Sequence, residues 1–243
     1  MAYTEQATIV PHDQDPAINE LLQEARRLQA AHEPIFTWKQ LIDIILGQGR
    51  LGELIRHPTV ERAYEERFNP ALRKAHGSVA AYLRAQLRWE HHELSSGTDY
   101  WIRTAPARVR LNDWAYSVPK NVVHYVVWVP TPLLHADLCQ PVTTSRESSA
   151  PPTKSLESES EFDPWEQVKR NGLGGRTGAG GESREDVGPE REISAFVKER
   201  WSEDEYDTLW FANPPELQSV RDLAHFHVLV RQKDHLGRAE LPN

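Results

Sequence analysis

Residues 140–192 are made of different material from the chain on either side, and this limits how the rest can fold. The segment holds seven of the thirteen glycines, none of the eleven histidines and one of the eight tryptophans, Trp165. Eleven acids against seven bases give it −4 of the chain's net −8. Runs such as SRESSAPPTKSLESESE and GLGGRTGAGG bury too little apolar side chain to offset the entropy of ordering them. A disordered insertion is therefore expected over 140–192. GLGGRTGAGG lacks the Gly-Lys-Ser/Thr ending and the preceding apolar strand that a phosphate loop needs, so it reads as flexible linker. The flanking sequences are aromatic-rich and incomplete alone. The expected organisation is a tail and helix over 1–33, then one α+β domain split into 34–139 and 193–243 by the insertion.

With 243 residues, 39% apolar content and a mean hydropathy of −0.63, the chain has material for a core and for solvated segments. No run approaches the roughly 20 apolar residues that span a bilayer, so no membrane partner is expected. The opening MAYTEQATIVPHDQDPAINE has neither a basic nor an apolar block of the kind a secretory signal requires. A single cysteine, Cys139, excludes a disulfide framework and a cysteine-rich zinc module. These features imply a cytoplasmic address, with the nucleus as the alternative. The acidic balance argues against general binding to a nucleic-acid backbone, though it leaves room for a small basic pocket.

The first hundred residues carry helical spacing. Asp15 and Pro16 form a cap and first turn ahead of Ile18, Leu21, Leu22, Ala25 and Leu28. Thr37 and Gln40 have the spacing of a capping box before Leu41, Ile42, Ile44 and Ile45, and Gly47 and Gly49 end that run. Pro58 opens a short helix through Phe68, and Ser78 opens another. From about residue 107 the period becomes two. ARVRLND alternates up to an Asn112-Asp113 turn, and VVHYVVWV from Val122 to Val129 is a strand bounded by Pro119 and Pro130. EISAFVKERW reads as a helix, WFANPPELQSV as a turn-rich approach, and AHFHVLV as a strand. The expected fold is α+β: N-terminal helices packed on a small antiparallel sheet, with the insertion before the last helix and strand.

Histidines on strands are the candidate chemistry. Alternation puts His225, His227 and Leu229 on one face and Phe226, Val228 and Val230 on the other. Imidazoles two residues apart lie roughly 7 Å from each other along a strand. Such a pair can share a substrate, ligate a metal, or act as a nucleophile and its support. His124 is the odd residue in an apolar strand, and it joins the same face if the two strands pair. The competing reading makes each a hydrogen-bonded sheet histidine. His-x-His with a third histidine also suits zinc or iron with an open position, but no acid has convincing ligand spacing; the nearest, Asp222, falls just outside the strand. No metal ligands are assigned and no cofactor follows. His91 and His92, consecutive on a helix end, point about 100° apart and make a poor clamp.

Two aromatic segments flank these strands: Asn112, Asp113, Trp114 and Tyr116 in the first, Trp210 and Asn213 in the second. Asparagine beside aromatics can stack a ring and hydrogen-bond its edge. Equally, the asparagines close turns while the aromatics fill the core.

Four ordered blocks resemble the fungal N-acetylglucosamine-induced protein family, a domain of unknown function: PIFTWKQLI, HGSVAAYLRAQLRW, NDWAYSVPKNVVHYVVW and WFANPPELQSVRDLAHFHVLV. The resemblance spans about residues 34–231 and implies a link to the amino-sugar response, with no settled reaction. NDWAYSVPKNVVHYVVW followed by Gln218-Ser219-Val220 and His225-Phe226-His227 also resembles the histidine-triad superfamily of nucleotide hydrolases and transferases. That resemblance makes His225 the nucleophile, His227 the last triad histidine, and Gln218 and Ser219 phosphate contacts. Leu223 stands in place of the first triad histidine, and the gap from Gln218 is one residue longer than the pattern.

Three functions follow. One is a hydrolase or transferase acting on a phosphorylated sugar or nucleotide through His225, with a ring held by Trp114, Tyr116 or Trp210 and Arg221 as the nearest cation. Another is a metal-dependent or acid–base enzyme using His124, His225 and His227. The last is a non-catalytic sensing protein in which the serine-rich, acidic 140–192 segment docks a protein partner.

Overall fold

A computed structural model describes residues 15–89, 107–130, 132–140, 163–178 and 187–233. Helix α1 (Pro16–Ala31) begins where the Asp15 carboxylate accepts the Ala17 N–H at 2.8 Å, and it buries Ile18, Leu22 and Ala25. Helix α2 (Trp38–Ile45) carries the expected capping box: Thr37 and Gln40 exchange backbone-to-side-chain bonds, and Leu41, Ile44 and Ile45 are buried. The helix expected from Pro58 does not stop at Phe68. Helix α3 (Pro58–Ala63) widens through a π turn at Tyr64–Phe68 and continues as α4 (Asn69–His76). Helix α5 (Val79–Leu87) starts at Ser78, whose hydroxyl accepts the Ala81 N–H at 3.0 Å. His91 and His92 lie outside the described residues.

The expected α+β class holds, with a larger sheet than the sequence suggested. Strands β1 (Arg108–Leu111), β2 (Val122–Trp128), β3 (Leu173–Thr177), β4 (Tyr206–Ala212) and β5 (His225–Gln232) lie in the order β1-β2-β5-β4-β3, every pair antiparallel. The central pair, β2 and β5, comes from opposite sides of the 140–192 segment. Helices α6 (Pro164–Asn171) and α7 (Gly188–Arg200) supply Val168, Ile193 and Val197 to an apolar cluster with Val127, Trp210, Phe226, Val228 and Val230. On the other face α2 packs Leu41 and Ile44 against Leu209, Phe211 and Leu229, and α5 packs Ala80 and Leu87 near Val126 and Trp128. The sheet is thus sandwiched between two helical layers.

Two expectations are corrected here. Within 140–192, residues 163–178 form α6 and edge strand β3, and α7 begins at Gly188. The glycines of the GLGGRT run answer to close packing. A Cβ on Gly175 would enter the Trp210 indole, and one on Gly174 would meet the Ile45 carbonyl. Gly172, at φ +70, turns the chain from α6 into β3 where a side chain would strike the Ala212 carbonyl. The remaining parts of the segment, including its serine-rich run, lie outside the described residues. WFANPP is also more than a turn: Trp210, Phe211 and Ala212 end strand β4, and the turn comes only at Pro215–Leu217. Among the described residues no helix is long and apolar enough to cross a membrane.

Candidate functional site

The register between β2 and β5 sets His124 opposite Leu229, Val126 opposite His227 and Trp128 opposite His225. Alternation then brings His124, His225 and His227 to one face, beneath the N-terminal helices. All three are buried, at 2%, 6% and 7% exposure.

Their hydrogen bonds assign the protons. The Tyr116 backbone N–H donates to His124 Nδ1 at 3.3 Å, so that nitrogen carries no proton. Burial, reinforced by the Arg56 charge, pushes His124 down to about 3, so the ring is neutral and its proton sits on Nε2. That N–H donates to His227 Nδ1 at 3.0 Å. Burial, with the Arg56 charge and the adjacent imidazoles also opposing a second proton, holds His227 well below its ordinary value, so the neutral ring carries its proton on Nε2. Asn112 Nδ2, 3.4 Å from His124 Nε2, faces another donor. The Asn112 amide is oriented by its Oδ1, which accepts the Trp114 N–H at 3.1 Å.

His225 has the opposite polarity. Its Nδ1–H donates to the Leu223 carbonyl at 2.8 Å, and burial lowers its pKa, so Nε2 keeps a free lone pair. The ring lies against Trp128, 4.6 Å between centroids, and stands edge-on to His227 at 5.4 Å and 80°. Phe211 stacks on His227 at 4.8 Å and 16°. One strand therefore presents a base and a donor side by side, each fixed in tautomer by a partner behind it.

His225 and His227 line a cavity of about 120 Å³ with Trp114, Tyr82, Arg110 and Ser219. A second cavity of about 450 Å³ lies across the Leu111–Asp113 wall and includes His124, Tyr116, His32 and His57. Arg110 sits opposite Val126, in the same cross-strand row as His227 and Phe211. It is 8% exposed, and its Nη1 has no hydrogen-bond partner among the described residues. Arg56 also lines the smaller cavity, but its guanidinium is occupied by Glu61 at 2.9 Å and the Trp114 carbonyl at 2.8 Å. Among the described residues no group of three or more His, Cys, Asp or Glu side chains is arranged to hold a metal ion.

Of the residues singled out in the sequence, His124, His225, His227, Asn112, Trp114 and Tyr116 converge here. Asp113 lines both cavities, but its carboxylate pairs with Arg26 at 2.8 Å. Ser219 is at the exposed edge of the smaller cavity. Trp210 does not join: it is opposite Val228, on the far face, fully buried over Gly175. Its neighbour Phe211 occupies the site face instead. Asn213 and Gln218 line neither cavity; Gln218 Nε2 donates to the Asn213 carbonyl at 2.9 Å and closes the turn after β4. Arg110, Tyr82 and Phe211 were not anticipated. For Arg110 the available signal was an arginine two residues before the Asn-Asp turn on an alternating strand.

The fold and site define an α+β protein with three histidines sequestered between a sheet and a helical layer. Residues 37–149 and 180–231 match the family described as protein of unknown function DUF3605, and the chain belongs to that family. The unmatched interval contains α6 and β3. The crystal structure of HTC1 is similar at 22% identity and a TM-score of 0.48, over 84% of this chain and 90% of that one. Among curated proteins none matches.

Proposed function

We propose that this chain is a phosphoryl or nucleotidyl hydrolase or transferase acting through His225. The carrying observation is the hydrogen bond from His225 Nδ1–H to the Leu223 carbonyl, which leaves an unprotonated Nε2 facing a cavity. The histidine-triad resemblance is supported by the same contact. Leu223 replaces the first histidine of that pattern, yet its backbone carbonyl still orients the nucleophile. In the reaction, the Nε2 lone pair forms an N–P bond as the P–O ester bond breaks. That electron pair departs with the leaving group, which takes a proton from solvent. His227 Nε2–H donates to the phosphoryl oxygen that gains charge. Water or a sugar hydroxyl then attacks phosphorus, loses its proton to solvent and restores the imidazole. The cavity is smaller than the roughly 300–1,000 Å³ of ordinary ligand pockets, so it suits the phosphoryl end of a substrate whose remainder projects past Ser219. Resemblance to the N-acetylglucosamine-induced family makes phosphorylated amino sugars the first substrates to test.

The experiment is incubation with p-nitrophenyl phosphate and with a nucleoside 5′-(p-nitrophenyl) phosphate, followed by alkaline quench and peptide mass analysis. The expected result is p-nitrophenolate release and an acid-labile phosphoryl or nucleotidyl adduct on His225, both absent in His225→Asn. Release unchanged by His225→Asn, or no adduct with either ester, overturns the reading.

A further inference from the structure

The small cavity combines three hydrogen-bond donors with a desolvated positive charge. Arg110 Nη1 and Trp114 Nε1 are both buried without a hydrogen-bond partner among the described residues, and both side chains line the cavity. His227 Nε2–H is the third donor, because its Nδ1 is taken by His124. The acid in the lining, Asp113, exerts an attractive field on Arg110 but gives its direct contact to Arg26, and the other cation, Arg56, is paired with Glu61. A guanidinium stays charged when buried, and desolvating one whose Nη1 has no hydrogen-bond partner among the described residues is unfavourable. Neighbouring neutral histidines offer no compensation. Such a cluster is complete only when an anion with several acceptor oxygens enters it.

We propose that Arg110 is the anion receptor of this cavity: its Nη1, with Trp114 Nε1 and His227 Nε2, binds the oxygens of one phosphoryl group. Backbone positions of Arg110 and His227 are two strand spacings apart, roughly 10 Å, and their side chains approach a shared space from opposite sides. Tyr82 lies beside Arg110 and hydrogen-bonds it, steadying the guanidinium. Trp128, Leu83 and Val79 wall the rest with apolar surface, which strengthens each charge-assisted bond by excluding water. A substrate that presents a terminal phosphate fits this arrangement, because one substituent enters while the remainder stays at the mouth. This deepens the reading above and rests on it only for the transfer step, since anion binding is measurable without turnover.

The test is titration of the full chain with inorganic phosphate, by calorimetry and by Tm, starting from phosphate- and sulfate-free buffer. Wild type is expected to bind one phosphate per chain and to gain Tm with its concentration. Arg110→Met is expected to lose affinity by about tenfold or more, while its Tm without phosphate equals or exceeds that of wild type, because a desolvated charge has been replaced by an apolar side chain. Trp114→Phe keeps a ring and removes one donor, so a severalfold loss is expected. Arg67→Gln, at an exposed pair with Glu24, is the control and should bind as wild type. The proposal is overturned if wild type shows no saturable phosphate binding or if Arg110→Met binds as tightly as wild type. It is also overturned if Arg110→Met is destabilised in phosphate-free buffer, since Arg110 would then be a structural cation; an unchanged affinity in Trp114→Phe removes the indole from the receptor. Phosphate binding without an adduct on His225 would sink the transfer reaction and leave the receptor standing. His225→Asn, expected to keep phosphate binding and lose the adduct, separates the two.

Discussion

The two faces of the sheet share strands, yet they are built on different physics. The face under α6 and α7 carries Val127, Trp210, Phe226, Val228 and Val230, closely packed and apolar. The face under α1 to α5 carries His124, His225, His227 and Arg110, each desolvated and, Arg110 Nη1 excepted, held by a specific bond. On the first face stability follows area and fit, about 25 cal/mol per Å² of apolar surface buried. On the second, burial of polar groups contributes little net stability and serves to fix proton positions. The difference explains why one strand, β5, alternates imidazole with aliphatic or aromatic side chains.

Substitutions can break this contrast, and the largest effect should come from the apolar face. Phe226→Ala removes a fully buried ring in edge contact with Phe196, and a loss of about 3–5 kcal/mol is expected in urea denaturation. Gly175→Ala drives a methyl group into the Trp210 indole and should cost about 1–3 kcal/mol, with a shift in tryptophan fluorescence.

Acid should act through the histidine face. Below pH 6.5 the unfolded chain protonates its histidines, whereas folded His124 does not until about 3. The unfolded state therefore binds more protons throughout that window, and stability falls as pH falls, by about 1.4 kcal/mol per pH unit from His124 alone. His227 and His225, also lowered by burial, act in the same direction. Chemical denaturation at pH 7 and pH 5.5 measures the slope, and His124→Leu should flatten it. That variant also leaves the Tyr116 N–H without its acceptor, an expected loss of about 1–3 kcal/mol at pH 7. Thr37→Ala tests the helix covering the polar face and should cost about 1 kcal/mol, read as a lowered Tm.

Much of the polar face was legible because alternation is a local property. Once β2 and β5 pair, the parity of His124, His225 and His227 follows from residue number. Which of Trp210 and Phe211 faces the site depends on register against β5, which no local pattern carries, and the larger ring was the wrong choice. Strand β3 was illegible for a related reason: Gly174 and Gly175 satisfy contacts with Ile45 and Trp210 that are remote in sequence, and their composition imitates a linker. Arg110 went unnoticed because an arginine on an alternating edge strand ordinarily faces water.

The bond between His124 and His227 joins residues 103 positions apart. During synthesis at about 5–20 residues per second, β2 emerges roughly 5–20 s before the strand that completes it. Through that interval Val122–Trp128 offers an unpaired β-rich edge, a template for pairing with other nascent copies. Assembly of the histidine set therefore waits for β5 and is a late, high-contact-order step of folding. A chain that stops before β5 would carry a sticky strand and no site, so the interval between synthesis of β2 and of β5 is when this fold is most exposed to mispairing.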